Sequence, residues 1–249
     1  MRYFMTLAYR GAPFHGWQRQ PHDVSVQQTI EEALGKVLRC GEVPIVGAGR
    51  TDTGVNASHM VAHFDLPNPL PEDVSGIIRG LNSLLGKDIA IYDIVAVHPD
   101  AHARFDATSR TYHYYVNTRK SPFAYRLSWQ APPNLDFQKM NQAARLLLET
   151  SDFTSFSKLH TDVKTNICRV TRAEWIQTGD DTWVFIITAD RFLRNMVRAV
   201  VGTLVDVGRG KITLEQFREI IDKKDRCAAG TSMPAHALFL HKVTYPYLK

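Results

Sequence analysis

The 249-residue sequence predicts an α+β protein of two βαββαβ halves in the split-βαβ, ferredoxin-like order. Such halves form an antiparallel sheet with helices packed on it and a cleft between them. Two observations predict this. Strand-like and helix-like runs follow one another as strand, helix, strand, strand, helix, strand over the first hundred residues, and a looser version of the same order follows. The composition, 44% hydrophobic and 22% charged, has enough apolar material for one large core or two small ones. The expected division is an N-terminal half of 1–104 and a C-terminal half of 105–249, with no flexible linker at the boundary near Arg104.

The first half opens on Tyr3–Tyr9, an aromatic and branched run that reads as a strand. Gly11, Pro13 and Gly16 then force a loop whose aromatic and basic stretch, Phe14-His15-Gly16-Trp17-Gln18-Arg19-Gln20, suits a binding surface or a tucked-in anchor equally well. Ser25 and Gln28 have the spacing of a capping box, and Ile30, Ala33, Leu34, Val37 and Leu38 give the following helix its buried stripe. Val43–Val46 reads as a strand, and His59–Leu66 as another. Pro71 opens a second helix, with Val74, Ile77, Ile78, Leu81, Leu84 and Leu85 at helical spacing and Gly86 as its stop. Ile89–Val97 closes the half as a strand.

The second half begins with the strand Thr111–Val116, and a helix runs over Asp136–Glu149. Asn166–Gln177 and Trp183–Ala189 read as a hairpin around Gly179-Asp180. A helix is expected over Phe192–Val207, stopping at Gly208 and Gly210, and another from the Thr213-x-x-Gln216 box. Leu238–Tyr245 supplies the last strand.

Between the strand at Val43–Val46 and the strand at His59 lies Gly47-Ala48-Gly49-Arg50-Thr51-Asp52-Thr53-Gly54-Val55-Asn56, three glycines around one acid. Alone it would serve as an ordinary turn, but it is also a good way to present a carboxylate. It is no nucleotide fingerprint: a third glycine at the required spacing is missing, and no G-x-x-x-x-G-K occurs. His59 and His63 lie in a strand-like run without H-E-x-x-H, so no metal site is expected. Asp52 is therefore the strongest candidate for a reacting group, as a nucleophile or general base oriented by a cation. Arg198 is a candidate for that cation: on a helix from Phe192 it would share a face with Arg191 and Arg194, and the simpler reading of that face is an exposed basic one. Tyr112, Tyr114 and Tyr115 suit core packing or, beside arginines, stacking on a nucleobase.

The net charge is +5 with a pI of about 9.1, and the excess is clustered. Arg104, Arg110, Arg119, Lys120 and Arg126 stand against the single acid Asp106, and Arg191, Arg194, Arg198, Arg209 and Lys211 form a second group. Such clusters point towards a polyanionic partner. Cys40, Cys168 and Cys227 are odd in number and lack C-x-x-C spacing, which suits a reducing cytoplasm. No signal-peptide pattern is present, and no apolar run reaches the roughly 18 residues of a membrane span.

Taken together, these residues resemble the TruA type of tRNA pseudouridine synthase. The resemblance rests on Gly47-Ala48-Gly49-Arg50-Thr51-Asp52-x-Gly54-Val55 and, in order along the chain, Phe14–Gln20, His102-Ala103-Arg104-Phe105 and Arg110-Thr111-Tyr112. Asp152-Phe153-Thr154-x-Phe156, Phe192–Arg198 and Pro234-Ala235-x-x-Leu238 complete it. It implies the pseudouridine synthase fold and a cofactor- and metal-free isomerisation in which uracil leaves its ribose, turns and rejoins through C5. It also implies uridines 38, 39 and 40 of the tRNA anticodon stem-loop as substrate, and a homodimer in which one tRNA touches both subunits. On this resemblance Asp52 is the nucleophile, attacking ribose C1′ or the base, Arg198 pairs with it, and Tyr112 stacks on the uracil and helps remove the C5 proton. Arg50 helps displace the flipped base and Leu238 lines the pocket. Gln18 and Arg19 in the aromatic and basic loop, and Arg104, Arg110 and Arg194 in the basic clusters, are the candidates for contact with RNA. Three positions depart from the family pattern: Asn56 where His is usual, Ala237 where Gly is common, and Arg10 where Asp is common.

Overall fold

A computed structural model describes residues 1–158 and 165–248. The elements are β1 (Arg2–Tyr9), α1 (Val26–Val37), β2 (Val46–Gly47), β3 (Asn56–Asp65), α2 (Ser75–Leu84), β4 (Ile89–Val97), β5 (Ser109–Asn117), β6 (Trp129–Gln130), α3 (Phe137–Glu149), β7 (Val170–Gly179), β8 (Thr182–Ala189), α4 (Met196–Gly208), α5 (Leu214–Lys223) and β9 (Leu238–Thr244). This is a mixed α+β protein of two compact units, one of residues 1–108 with 240–249 and one of 109–239.

In the first unit β1 lies between β4 and β3, antiparallel to both, with Met5 opposite Ala62 on one side and Ile94 on the other. β2 pairs antiparallel with β3, Val46 opposite His63. The central place of β1 follows from its sequence, since Phe4, Met5 and Leu7 are almost wholly buried. Each such side chain contributes about 1.5–3 kcal/mol of burial. β9 belongs to this unit from Leu240 onward: Val243 N–H donates to His59 Nδ1 at 3.4 Å, and Tyr245 meets the Phe4 ring edge-on at 5.2 Å. Against the expected division of 1–104 and 105–249, residues 240–249 group with the first unit, because Tyr245, just after β9, packs on Phe4 of β1.

Three local expectations need correction here. Ser25 caps α1, accepting from Gln28 N–H, but the Gln28 amide donates to Glu32 instead of reaching back, so the reciprocal half of the box is replaced by an i,i+4 contact. Residues 43–45 are not a strand: Ile45 N–H donates to the buried Glu31 carboxylate and its carbonyl accepts from Gln27, so side chains of α1 satisfy this backbone. Helix α2 begins at Ser75, not Pro71, after Asp73 accepts from Ser75 N–H in a local turn. Of its expected stripe Leu81 and Leu85 are buried, and Leu84 is exposed.

In the second unit β8 lies between β5 and β7, antiparallel to both, and β6 runs parallel to β5. Helix α3 starts where Asp136 caps Lys139 N–H at 2.9 Å, and its Phe137 stacks on Trp183 with ring centroids 3.9 Å apart. Asn141 both donates to and accepts from the Trp175 backbone, fixing α3 on β7. The hairpin starts at Val170, not Asn166, and α5 carries both halves of its capping box.

The largest departure is α4. It starts at Met196 because Asn195 adopts a left-handed conformation (φ 65°), so Arg191 and Arg194 are not on the helix that carries Arg198, and the shared basic face expected from spacing does not exist. Asp190 accepts from the backbone N–H groups of Arg191 and Arg169, which holds the preceding segment in a turn. From Met196 to Val207 nearly every side chain is buried, a pattern for a helix packed on most of its circumference.

Candidate active site

The Asp52 loop is fastened on both sides of the carboxylate. Thr51 Oγ1 meets the Tyr9 hydroxyl at 2.8 Å in a buried contact, and Thr51 O accepts from Trp17 N–H at 3.2 Å. Val55 N–H donates to Asp52 O at 3.1 Å, closing a tight turn, and Gly54 takes φ 79° within it. A Cβ at Gly47 would lie 2.6 Å from the Trp17 indole, so the glycine is needed for the indole to cover the strand end. Trp17, 3% exposed, is therefore an anchor of this loop and not a surface residue. Asp52 is half-buried and Arg50 exposed.

Asn56 is 2% exposed and accepts Gly11 N–H at 2.9 Å, so this departure from the family pattern ties the loop after β1 to the Asp52 loop. Arg10, another departure, forms an ion pair with Asp88 at 2.7 Å. Gln18 and Arg19 are exposed, and Arg19 is paired with Glu42 and lies 3.5 Å from the buried Glu31, which draws its charge towards the protein. Arg104 is exposed on a short loop that Asp106 and two histidines shape: His102 N–H donates to Asp106 at 2.7 Å, and Ala103 N–H to His63 Nδ1 at 3.1 Å.

Burial, the neighbouring His102 ring and Arg2 push the pKa of His63 down to about 4. Between that value and the ordinary value of 6.5, the unfolded chain binds a proton that the folded chain refuses. The stability that this neutral ring contributes is whole above pH 6.5 and is lost as the pH falls towards 4. After allowance for solvent screening the effect is on the order of 1–2 kcal/mol. Urea denaturation at pH 7 and pH 4.5 is expected to show a smaller pH difference in His63→Gln than in the wild type, and equal differences would assign the acid sensitivity elsewhere.

The second unit carries the remaining candidates. Tyr112 is half-buried on β5 opposite Ile187, with Phe192 meeting its ring edge-on at 5.0 Å. Tyr114, two residues on, is fully buried, and burial pushes its phenol well above the ordinary range. Arg110 donates to Asp190 O at 2.8 Å, which places it at the end of the β5–β8 pair, and Arg194 is exposed. Half-buried on the first turn of α4, Arg198 donates from Nε to Met233 O at 2.6 Å, while Met233 N–H donates back to Arg198 O at 3.1 Å. Leu238 is 5% exposed and Ala237 fully buried at the end of that same segment.

Two groups of side chains went unread in the sequence. Thr51 and Tyr9 fix the loop, and Ser232 and Met233 hold the start of α4; Gly202 in mid-helix was the signal for the second group, since a glycine there costs helix stability unless something approaches closely. Among the described residues, no group of three or more His, Cys, Asp or Glu side chains could hold a metal ion, and no helix is long and apolar enough to cross a membrane.

A family model described as tRNA pseudouridine synthase matches residues 143–246. The tRNA pseudouridine synthase A of Parabacteroides distasonis is 60% identical over 245 residues, covering 98% of this chain and 96% of that protein. The protein of the same name from Bacteroides fragilis is 57% identical with the same coverage, and that of Bacillus subtilis 38% identical over 98% of this chain and 99% of its own. With such identity along almost its whole length, and with a glycine-flanked Asp52 loop at the end of β2, the chain belongs to the tRNA pseudouridine synthase family, in its A type.

Proposed function

We propose that the protein converts uridine to pseudouridine at positions 38, 39 or 40 of the tRNA anticodon stem-loop, with Asp52 as nucleophile. The observation that carries this reading is the Asp52 loop: the residue before the carboxylate is held by Tyr9 and Trp17, and the turn after it is closed by Val55. A carboxylate fixed in this way loses little freedom when it meets its target, which is what a preorganised reacting group requires. The uridine must leave the base stack to be reached. Its N1–C1′ bond then breaks, the uracil turns, a C5–C1′ bond forms, and the proton leaving C5 is balanced by one gained at N1. Asp52 attacks C1′ or the base, Arg198 faces it as its cation, and Tyr112 stacks on the uracil and helps take the C5 proton. Leu238 lines the pocket and Arg50 displaces the base.

The proposal extends to architecture. The order β4-β1-β3 with β2 paired to β3 matches a split βαβ half, which supports the reading of two related halves. Gln18, Arg104, Arg110 and Arg194 bind the RNA backbone; Arg19 joins them by exchanging Glu42 for a phosphate. The working form is a cytoplasmic homodimer that needs no cofactor or metal. Incubation with bulk tRNA from cells lacking their own enzyme tests the reading. Pseudouridines mapped by carbodiimide primer extension are expected at 38–40, and their appearance only elsewhere would overturn the assignment.

A further inference from the structure

Arg198 is held by more than its own helix. The segment 226–234 lies against the first two turns of α4 and is joined to it at successive points. Asn195 Nδ2 donates to Ser232 Oγ at 2.6 Å, Arg198 and Met233 exchange the two bonds described above, and Gly230 N–H donates to Thr203 Oγ1 at 2.9 Å. The contact is very close: a Cβ at Gly202 would lie 1.9 Å from Thr231 O, and one at Gly230 2.8 Å from the backbone of Gly202 and Thr203. Arg226 closes the segment on itself, its Nη1 donating to Gly230 O at 3.2 Å and its Nη2 to Ser232 Oγ at 2.8 Å. At the far end Pro234 O accepts from the buried Tyr114 hydroxyl at 3.2 Å, on the strand that carries Tyr112. A single turn later comes Leu238.

We propose that residues 226–234 form a strap that sets the direction of the Arg198 guanidinium, with Arg226 and Ser232 as its positioning residues. A guanidinium is planar, so a bond from Nε to Met233 O fixes the plane in which its two Nη groups lie. Met233 O is itself fixed by its two neighbours in the strap, Ser232 on one side and Pro234 on the other. The bond of Ser232 to Asn195 sets where α4 begins, because Asn195 is the left-handed residue before its first turn. One segment therefore registers Arg198, the Tyr112 strand and Leu238 against each other. This rests on the reading of Arg198 as the cation facing Asp52.

The test is kinetic. Misplacing a reacting group by about 1 Å can cost about 100-fold in rate, and loss of a partner that orients a metal ligand, the nearest analogue of this strap, costs about 10–100-fold. Ser232→Ala is expected to lower kcat for pseudouridine formation by about 10–100-fold while the tRNA Kd stays within about twofold. Ser232→Thr, which keeps the hydroxyl, recovers most of that rate. In an Arg198→Lys background, Ser232→Ala costs much less than in the wild type, because the plane it sets is gone. Should Ser232→Ala melt early, Arg226→Lys gives the same readout, since an ammonium cannot span the carbonyl and the hydroxyl together. Near-normal kcat in Ser232→Ala or in folded Arg226→Lys, with Arg198→Met inactive, would overturn the strap alone, as would full additivity with Arg198→Lys. Normal turnover by Arg198→Met would instead overturn the reading beneath it.

Discussion

Asp52→Asn is expected to bind tRNA with near wild-type affinity and to form no detectable pseudouridine. The amide is nearly isosteric, so the loop that Thr51 and Val55 hold should keep its shape and the RNA its footing. What disappears is the proposed nucleophile. Removal of a nucleophile from a preorganised site typically lowers turnover by on the order of 10⁴–10⁶. The assay is carbodiimide primer extension beside filter binding across a salt series, where the logarithm of affinity falls linearly with the logarithm of salt for any phosphate-contacting protein. A competing view holds that the chain only binds or remodels tRNA, and under it the substitution alters affinity alone. Retained modification by the Asn variant would remove Asp52 from the chemistry.

Arg198→Met is expected to have the second largest effect, a loss of turnover of at least about 100–1,000-fold, the scale for removing one preorganised charge from a site. Methionine fills much of the same volume, so α4 should persist in its buried place. Its loss of the bond to Met233 O is expected to lower stability by about 1.5–3 kcal/mol. Thermal melting and single-turnover rates measured on one preparation separate these effects: a modest fall in Tm with abolished chemistry is the expected pair. Near-normal single-turnover rates would end the pairing role of Arg198, whatever the Tm.

Periodicity made α3 and α5 legible, because Phe137, Met140, Ala144 and Leu147 in one and Phe217 and Ile220 in the other are buried at helical spacing behind the caps Asp136 and Thr213; β1 and β4 were legible from their run of apolar residues. It failed at α4 for a physical reason. Phe192–Asn195 has helix-compatible residues, and the left-handed Asn195 is stabilised by Ser232, which lies 37 residues away in sequence. Residues 43–45 failed similarly: an extended apolar run found its hydrogen bonds in Glu31 and Gln27 and not in a neighbouring strand. The Asp52 loop was legible as a motif, since glycines around an acid are a local signal. Its fastening was not, for Tyr9 and Trp17 read simply as a strand end and an ambiguous aromatic loop.

The return of the last strand also governs the order in which the protein can be made. A fragment of residues 1–108 would lack the Tyr245 hydroxyl that bonds Ala103 O at 2.5 Å, the Val243 N–H that meets His59, and the ring that covers Phe4. Synthesis from the N-terminus therefore delivers the whole of 109–239 before the unit bearing Asp52 can be completed. On the ribosome the unit with Asp52 begins first and finishes last, and β3, the strand that follows the Asp52 loop, keeps an open edge until residues 240–249 have emerged.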